Sequence, residues 1–162
     1  MAVMSAAAGT FPFDDRLAYR CRILCDSFAR LVKRPLLPDL PTDDRSLVQA
    51  LYDAPVVIVS HGNEPDPVFW FANRLAQQLW EADWPTFTTM PSRRSVAPDE
   101  HADREVLLRR AHEQGYIDDY RGVRISASGR RFRIENVVFW NLTDGQGGHV
   151  GQAAMFSTWS FL

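Results

Sequence analysis

Three groupings of side chains in this 162-residue chain have types and spacings suited to chemistry. His61, Glu64 and Asp66 put an imidazole and two carboxylates into one short turn, the ingredients of a general acid–base pair. Pro65 and Pro67 interleave them, which describes a rigid connection between strands. No nucleophile elbow, P-loop, dinucleotide fingerprint or H-E-x-x-H motif accompanies the turn. The chain is therefore not expected to be an enzyme, and no catalytic residue is assigned. Cys21 and Cys25, four residues apart, fall on one face of a helix. A zinc site would want two more ligands nearby and a disulfide framework more cysteines. Both thiols read as reduced packing groups, and no metal site is expected. Asn136 and Gln152 sit in otherwise apolar strands. A buried amide must find partners, so each is either a ligand contact or a structural hydrogen-bonding group.

The elements that must position these residues follow from periodicity. Leu17, Cys21, Leu24, Phe28 and Leu31 form one stripe of an amphipathic helix over residues 14–32, with aspartates at its start, basic residues at its end and Pro35 to stop it. A proline-rich connector, 35–41, leads to a shorter helix capped by Thr42 or Asp43. Residues 55–60 and 68–72 read as buried strands. Asn73 caps a helix, Asp83 caps another turn, and a longer helix runs from Pro98 or Asp99 to about Gln114. Its apolar strip is Leu107, Leu108 and Ala111, and Arg104 falls in the same sector. Three strands close the chain: 119–127, 131–142 and 149–161. In the second, strict alternation puts Phe132, Ile134, Val138, Trp140 and Leu142 on one face, interrupted by Asn136. The third is apolar on both faces, so it must be covered on both, with the N-terminal helix on one side.

The fold class is α+β: a five-stranded antiparallel sheet, helices inserted after its second strand, and the N-terminal amphipathic helix covering the sheet. Residues 1–12 are expected to be a flexible lead-in, and residues 13–162 one domain. Net charge is −2, so no positive field draws the chain to nucleic acid. No run of apolar residues is long enough to cross a bilayer and no signal peptide is recognisable, so a cytoplasmic location is expected. Ten Phe, five Trp and four Tyr suit a thick core or a ring-lined pocket.

This order of elements resembles a PAS domain, through FANRLAQQLWEADWPTF and the hairpin SGRRFRIE…TDGQG…GQAAMF. A closer resemblance is to the MEKHLA domain, a PAS-like module. It is carried by Ser60-His61-Gly62, Glu64-Pro65-Asp66-Pro67, Phe71-Ala72-Asn73-Arg74, Pro91-Ser92-Arg93, the run from Gly115 to Tyr120, Gly122-Val123-Arg124-Ile125-Ser126, Gly129-Arg130-Arg131-Phe132, Trp140-Asn141-Leu142 and Gly151-Gln152-Ala153-Ala154. The six-letter string that names the family is absent, as are homeodomain and leucine-zipper patterns, so no DNA-binding role is carried over.

The resemblance implies a sensory module that holds a small apolar or aromatic ligand between sheet and helices and signals through protein contacts. The alternative is an interaction module with a solid core that dimerises through the N-terminal helix or a sheet face. The candidate ligand-binding residues are Asn136, Trp140, Gln152, Trp80, Leu108 and His112. Some PAS domains bind haem through a histidine on the long helix. His112 borders that helix's apolar strip and lies with His101 on one stripe, although a partly exposed histidine fits the same pattern. Cysteine-linked flavin photochemistry would need a thiol on the helix after the second strand, and both cysteines precede the first. The identity of any cofactor stays open.

Overall fold

The computed structural model describes residues 11–162. Most of the lead-in expected over residues 1–12 lies outside them. Phe11 packs on Tyr52, with ring centroids 5.2 Å apart. Helix α1, Asp15–Val32, starts where Asp14 Oδ1 accepts the Leu17 amide at 2.8 Å and ends where Lys33 adopts φ 67°. Its stripe of Leu17, Ala18, Cys21, Leu24, Cys25 and Phe28 is buried. Helix α2, Asp44–Tyr52, is capped by Asp43 rather than Thr42. Strands β1, Val57–His61, and β2, Phe69–Ala72, then form an antiparallel pair.

Asn73 organises the next corner. Its Oδ1 caps α3, Arg74–Trp80, by accepting from Ala76 N, and also accepts from Ile58 N, both at 3.1 Å. Its amide donates to the carbonyls of Leu51 and Val56. One side chain thereby ties α2, β1 and α3 together. Helix α4, Trp84–Phe87, and two 3-10 turns at Ser92–Ser95 and Pro98–Glu100 lead into α5, His101–Gln114. The chain closes with β3, Tyr116–Ile125, β4, Arg131–Thr143, β5, His149–Phe156, and β6, Thr158–Phe161. The pairing order is β2-β1-β5-β4-β3, antiparallel at every step, with β6 pairing the first half of β4.

Two apolar layers sandwich the sheet. On one side α1 and α2 pack on Ile58, Phe71, Val138, Trp140, Leu142, Ala153 and Met155. On the other, α3, α4 and α5 cover Val57, Val59, Phe69, Phe132, Ile134, Val137, Phe139, Ala154 and Phe156.

The strict alternation expected for β4 does not hold. Phe132 and Ile134 face the α5 layer, whereas Val138, Trp140 and Leu142 face α1. The parity changes at Asn136, whose φ is 54°, and the same change occurs opposite it, where exposed Ser157 divides the expected last strand into β5 and β6. A bulge adds one residue to a strand and shifts every later side chain to the other face. Asn is among the few non-glycine residues that enter the left-handed region readily.

Candidate ligand-binding site

The cavity lies on the α5 side of the sheet and has a volume of about 40 Å³. Val59 and His61 of β1, Phe69 of β2, Ile134 and Phe139 of β4, and Gln152, Ala154 and Phe156 of β5 contribute one wall. Trp80 closes one side from α3, Ser92 and Ser95 another from the 3-10 turn, and Arg124 a third from β3. Arg104, Leu107 and Leu108 of α5 form the roof.

Trp80, Leu108 and Gln152 thus come together among the residues singled out from sequence. The other three do not join them. Asn136 is exposed in its bulge, because the left-handed conformation turns it off the apolar face. Trp140 is fully buried on the α1 side, where its indole donates to the Leu24 carbonyl at 3.2 Å, because the bulge reverses its parity. His112 is exposed on the last turn of α5, its ring centroid 4.9 Å from that of His149. His101 is occupied with the carbonyls of Arg93 and Val96.

The amides of the sheet hold α5 down. Gln152 Nε2 donates to Leu108 O at 3.3 Å and to Asn141 Oδ1 at 3.0 Å, and Asn141 Nδ2 donates to Ala111 O at 2.9 Å. Two buried side chains of β4 and β5 therefore satisfy carbonyls of the helix above them. Little else secures it, since only Arg104, Leu107 and Ala111 of α5 are buried.

His61 is the residue whose setting matters most. Its Nδ1 lies 2.8 Å from the Gly62 carbonyl, so Nδ1 carries the proton and Nε2 presents a lone pair. That Nε2 is buried and has no hydrogen-bond partner among the described residues. Burial pushes the imidazole pKa down to about 4, which keeps the ring neutral at pH 7. Gly151 makes the placement feasible: at φ 152° it passes under the end of β1, and a Cβ there would collide with the His61 carbonyl oxygen. The acid–base grouping is not assembled, since Glu64 accepts from Val68 N and Asp66 pairs with Arg93 at 3.1 Å.

Two arginines are missing from the residues chosen by sequence. Arg104 is 6% exposed and donates to Ser92 Oγ. Its salt bridge, 3.2 Å to Glu105, reaches a carboxylate that is itself largely in solvent. Burial lowers the pKa of its guanidinium, and the nearby charge of Arg124 lowers it further. Arg124, 8% exposed, donates to the Val123 carbonyl, lies over the Tyr120 ring and makes no salt bridge among the described residues. The signal for Arg104 was its position within the apolar sector of α5. Arg124 gave none, because shifts in the β3–β4 register make strand parity unreadable there.

A larger groove of about 360 Å³ runs along α1, lined by Arg16, Tyr19, Ile23, Trp70 and Val150, but Tyr19 is 60% exposed and the groove faces solvent. Cys21 and Cys25 lie in the α1 layer, where burial raises both thiol pKa values, that of Cys25 to about 12. Among the described residues no group of three His, Cys, Asp or Glu side chains could hold a metal ion, and no helix is long and apolar enough to cross a membrane.

The profile of the MEKHLA domain matches residues 18–161. The chain belongs to the MEKHLA domain family. Over 98% of its length it is 27% identical to the homeobox-leucine zipper protein HOX29 of Oryza sativa subsp. indica, and equally to that of subsp. japonica. The chain spans about a fifth of those relatives, 19% and 18% of their lengths. Among solved structures it is similar to the PAS domain of a Colwellia psychrerythraea protein, with TM-score 0.62 and 12% identity over 73% of this chain and 95% of that one. An RNA-binding light-oxygen-voltage receptor gives TM-score 0.60 and 17% identity, over 76% of this chain and 35% of that one. The light-state dimer of the fungal blue-light photoreceptor Vivid gives 0.56 and 12%, over 90% and 95%. The MEKHLA chain therefore has the PAS fold.

Proposed function

We propose that this MEKHLA domain is a non-catalytic sensory module that takes a small molecule with an apolar or aromatic body between α5 and the sheet. The observation that carries the reading is the cavity on that face, where Trp80, Leu107, Phe139 and Phe156 supply an apolar lining and Gln152 a polar contact. Its volume of about 40 Å³ holds a water or two and is far from the several hundred Å³ of a drug-sized site. A three-ring flavin does not fit there as the side chains stand. Entry of a ligand displaces α5, a 14-residue helix with only three buried residues. A ligand that engages Gln152 competes with the bonds to Leu108 and Asn141. The disturbance passes along β5 to Ala153 and Met155, which pack in the α1 layer, and α1 or a partner protein reads it.

The competing reading, an interaction module without a ligand, draws on Phe161 and Leu162, which are 45% and 61% exposed beside the β4–β6 edge. The apolar stripe of α1 is already spent on the sheet, so a dimer would use that edge. Native mass spectrometry of the protein as isolated separates the two. A bound mass that leaves on mild activation is expected, with its loss altering the exchange rates of α5 amides. A clean monomer or dimer mass, together with no shift in melting temperature across a small-molecule library, would overturn the sensory reading.

A further inference from the structure

Resting on that reading of the cavity, we propose that its ligand is a small hydroxylated carboxylate, with Arg104 and Arg124 receiving the carboxylate and His61 Nε2 accepting a hydrogen bond from the hydroxyl. Three independent features of the cavity point to this chemistry. Two guanidinium groups, each more than nine-tenths buried, line one small space, and neither has a buried carboxylate as partner among the described residues. A buried charge is costly unless it is paired. The planar fork of arginine suits a carboxylate, which accepts two parallel N–H bonds.

The second feature fixes the rest of the head group. Because the Gly62 carbonyl holds the proton on Nδ1, His61 Nε2 can only accept. It lies buried on a wall of the cavity with no hydrogen-bond partner among the described residues. A bare oxyanion would leave this lone pair unmet, whereas a ligand O–H satisfies it. The same lone pair disfavours a phosphate monoester dianion, which offers no proton. The third feature is the remaining lining: Trp80, Leu107, Ile134, Phe139 and Phe156 are apolar. A volume of about 40 Å³ admits the leading oxygens of the head group, in the space a water or two would fill, and the rest of the ligand must lift α5.

The test titrates the labelled protein at about pH 8, above the second phosphate pKa of about 6, with L-lactate, phenyllactate, propionate, lactamide and methyl phosphate, following amide and imidazole resonances. Both hydroxy acids are expected to saturate, with lactamide about tenfold weaker or more for want of the charge and propionate about three- to tenfold weaker for want of the hydroxyl. R104M and R124Q should each weaken lactate by about tenfold or more, R104K less. In H61F the difference between lactate and propionate should vanish, a change that a merely structural role for His61 would not produce. R104M should not lower the melting temperature of the ligand-free protein, because it removes an under-compensated charge. Lactamide or methyl phosphate binding as tightly as lactate would overturn the proposal. So would a lactate–propionate gap that survives in H61F, or the failure of every carboxylate to bind. If a neutral molecule is found on the isolated protein while the acids do not bind, the carboxylate assignment fails and the sensory reading stands.

Discussion

The two faces of the sheet are covered to opposite standards. Against α1, the layer is filled: Leu24, Phe28 and Trp140 are fully buried, the Phe28 and Trp140 rings meet edge to face at 4.9 Å, and the indole has its acceptor. Against α5, the layer keeps a cavity, two poorly compensated arginines and a histidine nitrogen with no partner among the described residues. Polar groups left short of partners destabilise a fold, so the α1 face supplies stability that the α5 face gives up. The helices show the same contrast. Eight residues of the 18-residue α1 are buried, against three of the 14-residue α5. Structural elements are made of the first kind of packing, and binding sites of the second.

The sharpest way to break that contrast is one chemical change made on both faces. Leu24 and Leu107 are both buried, at 0% and 2% exposure. Leu24→Ala should cost about 4–5 kcal/mol, the upper part of the range for such truncations, because α1 cannot collapse onto a filled layer. Leu107→Ala should cost about 2–3 kcal/mol, because one side of that residue already faces empty space and has fewer contacts to lose. Urea unfolding of both variants decides it. Equal losses would mean that the α5 layer is packed as well as its counterpart.

The titration of His61 probes the α5 face. His61 has a folded pKa of about 4, against 6.5 when free. Between these values the unfolded chain binds the proton that the folded chain refuses, so stability rises with pH across this window. The contribution is complete above pH 6.5 and is lost as the pH falls toward 4. A shift of that size corresponds to about 3 kcal/mol. Burial also lowers the pKa of His149, and so reinforces the trend from the same side of the molecule. Stability measured from pH 7 to pH 4 should fall steeply in the native protein and much less in His61→Phe. An equal slope in the two would place the acid sensitivity elsewhere.

Much of this architecture was legible in the residues, and the places where it was not share a cause. Caps at Asn73 and Asp83 are local events, written in a side chain and the amide three residues on, and they stand where the spacing puts them. The succession of helices and strands along the chain and the cover of α1 followed from apolar stripes. What could not be read was parity beyond a bulge. Alternation puts Trp140 on the face of Phe132 and Ile134, and one residue in the left-handed region reverses that count, so Trp140 lies on the α1 side and they on the α5 side. Arg104 was visible as an intruder in an apolar sector, yet its meaning depends on Ser92 and Arg124, which only the tertiary fold brings near it. Caps are local and cavities are not, so the fold was easier to read than the site.

Asn136 offers the smallest expected effect and the finest test, because it lets the two layers exist on one pair of strands. Its φ of 54° costs a residue with a Cβ about 1–2 kcal/mol, less for Asn and nothing for Gly. Its side chain is exposed, so no packing is lost on replacement. Asn136→Gly should therefore be near neutral, within about 0.5 kcal/mol, since relief of strain is offset by greater freedom in the unfolded chain. Asn136→Val should destabilise by about 1–2 kcal/mol, because a β-branched residue resists this conformation. The loss should come with changes in the resonances of both Trp140 and Ile134, one on each face. If Val were tolerated with those resonances unmoved, the bulge would be held by its neighbours, and the division between filled and open layers would not depend on Asn136.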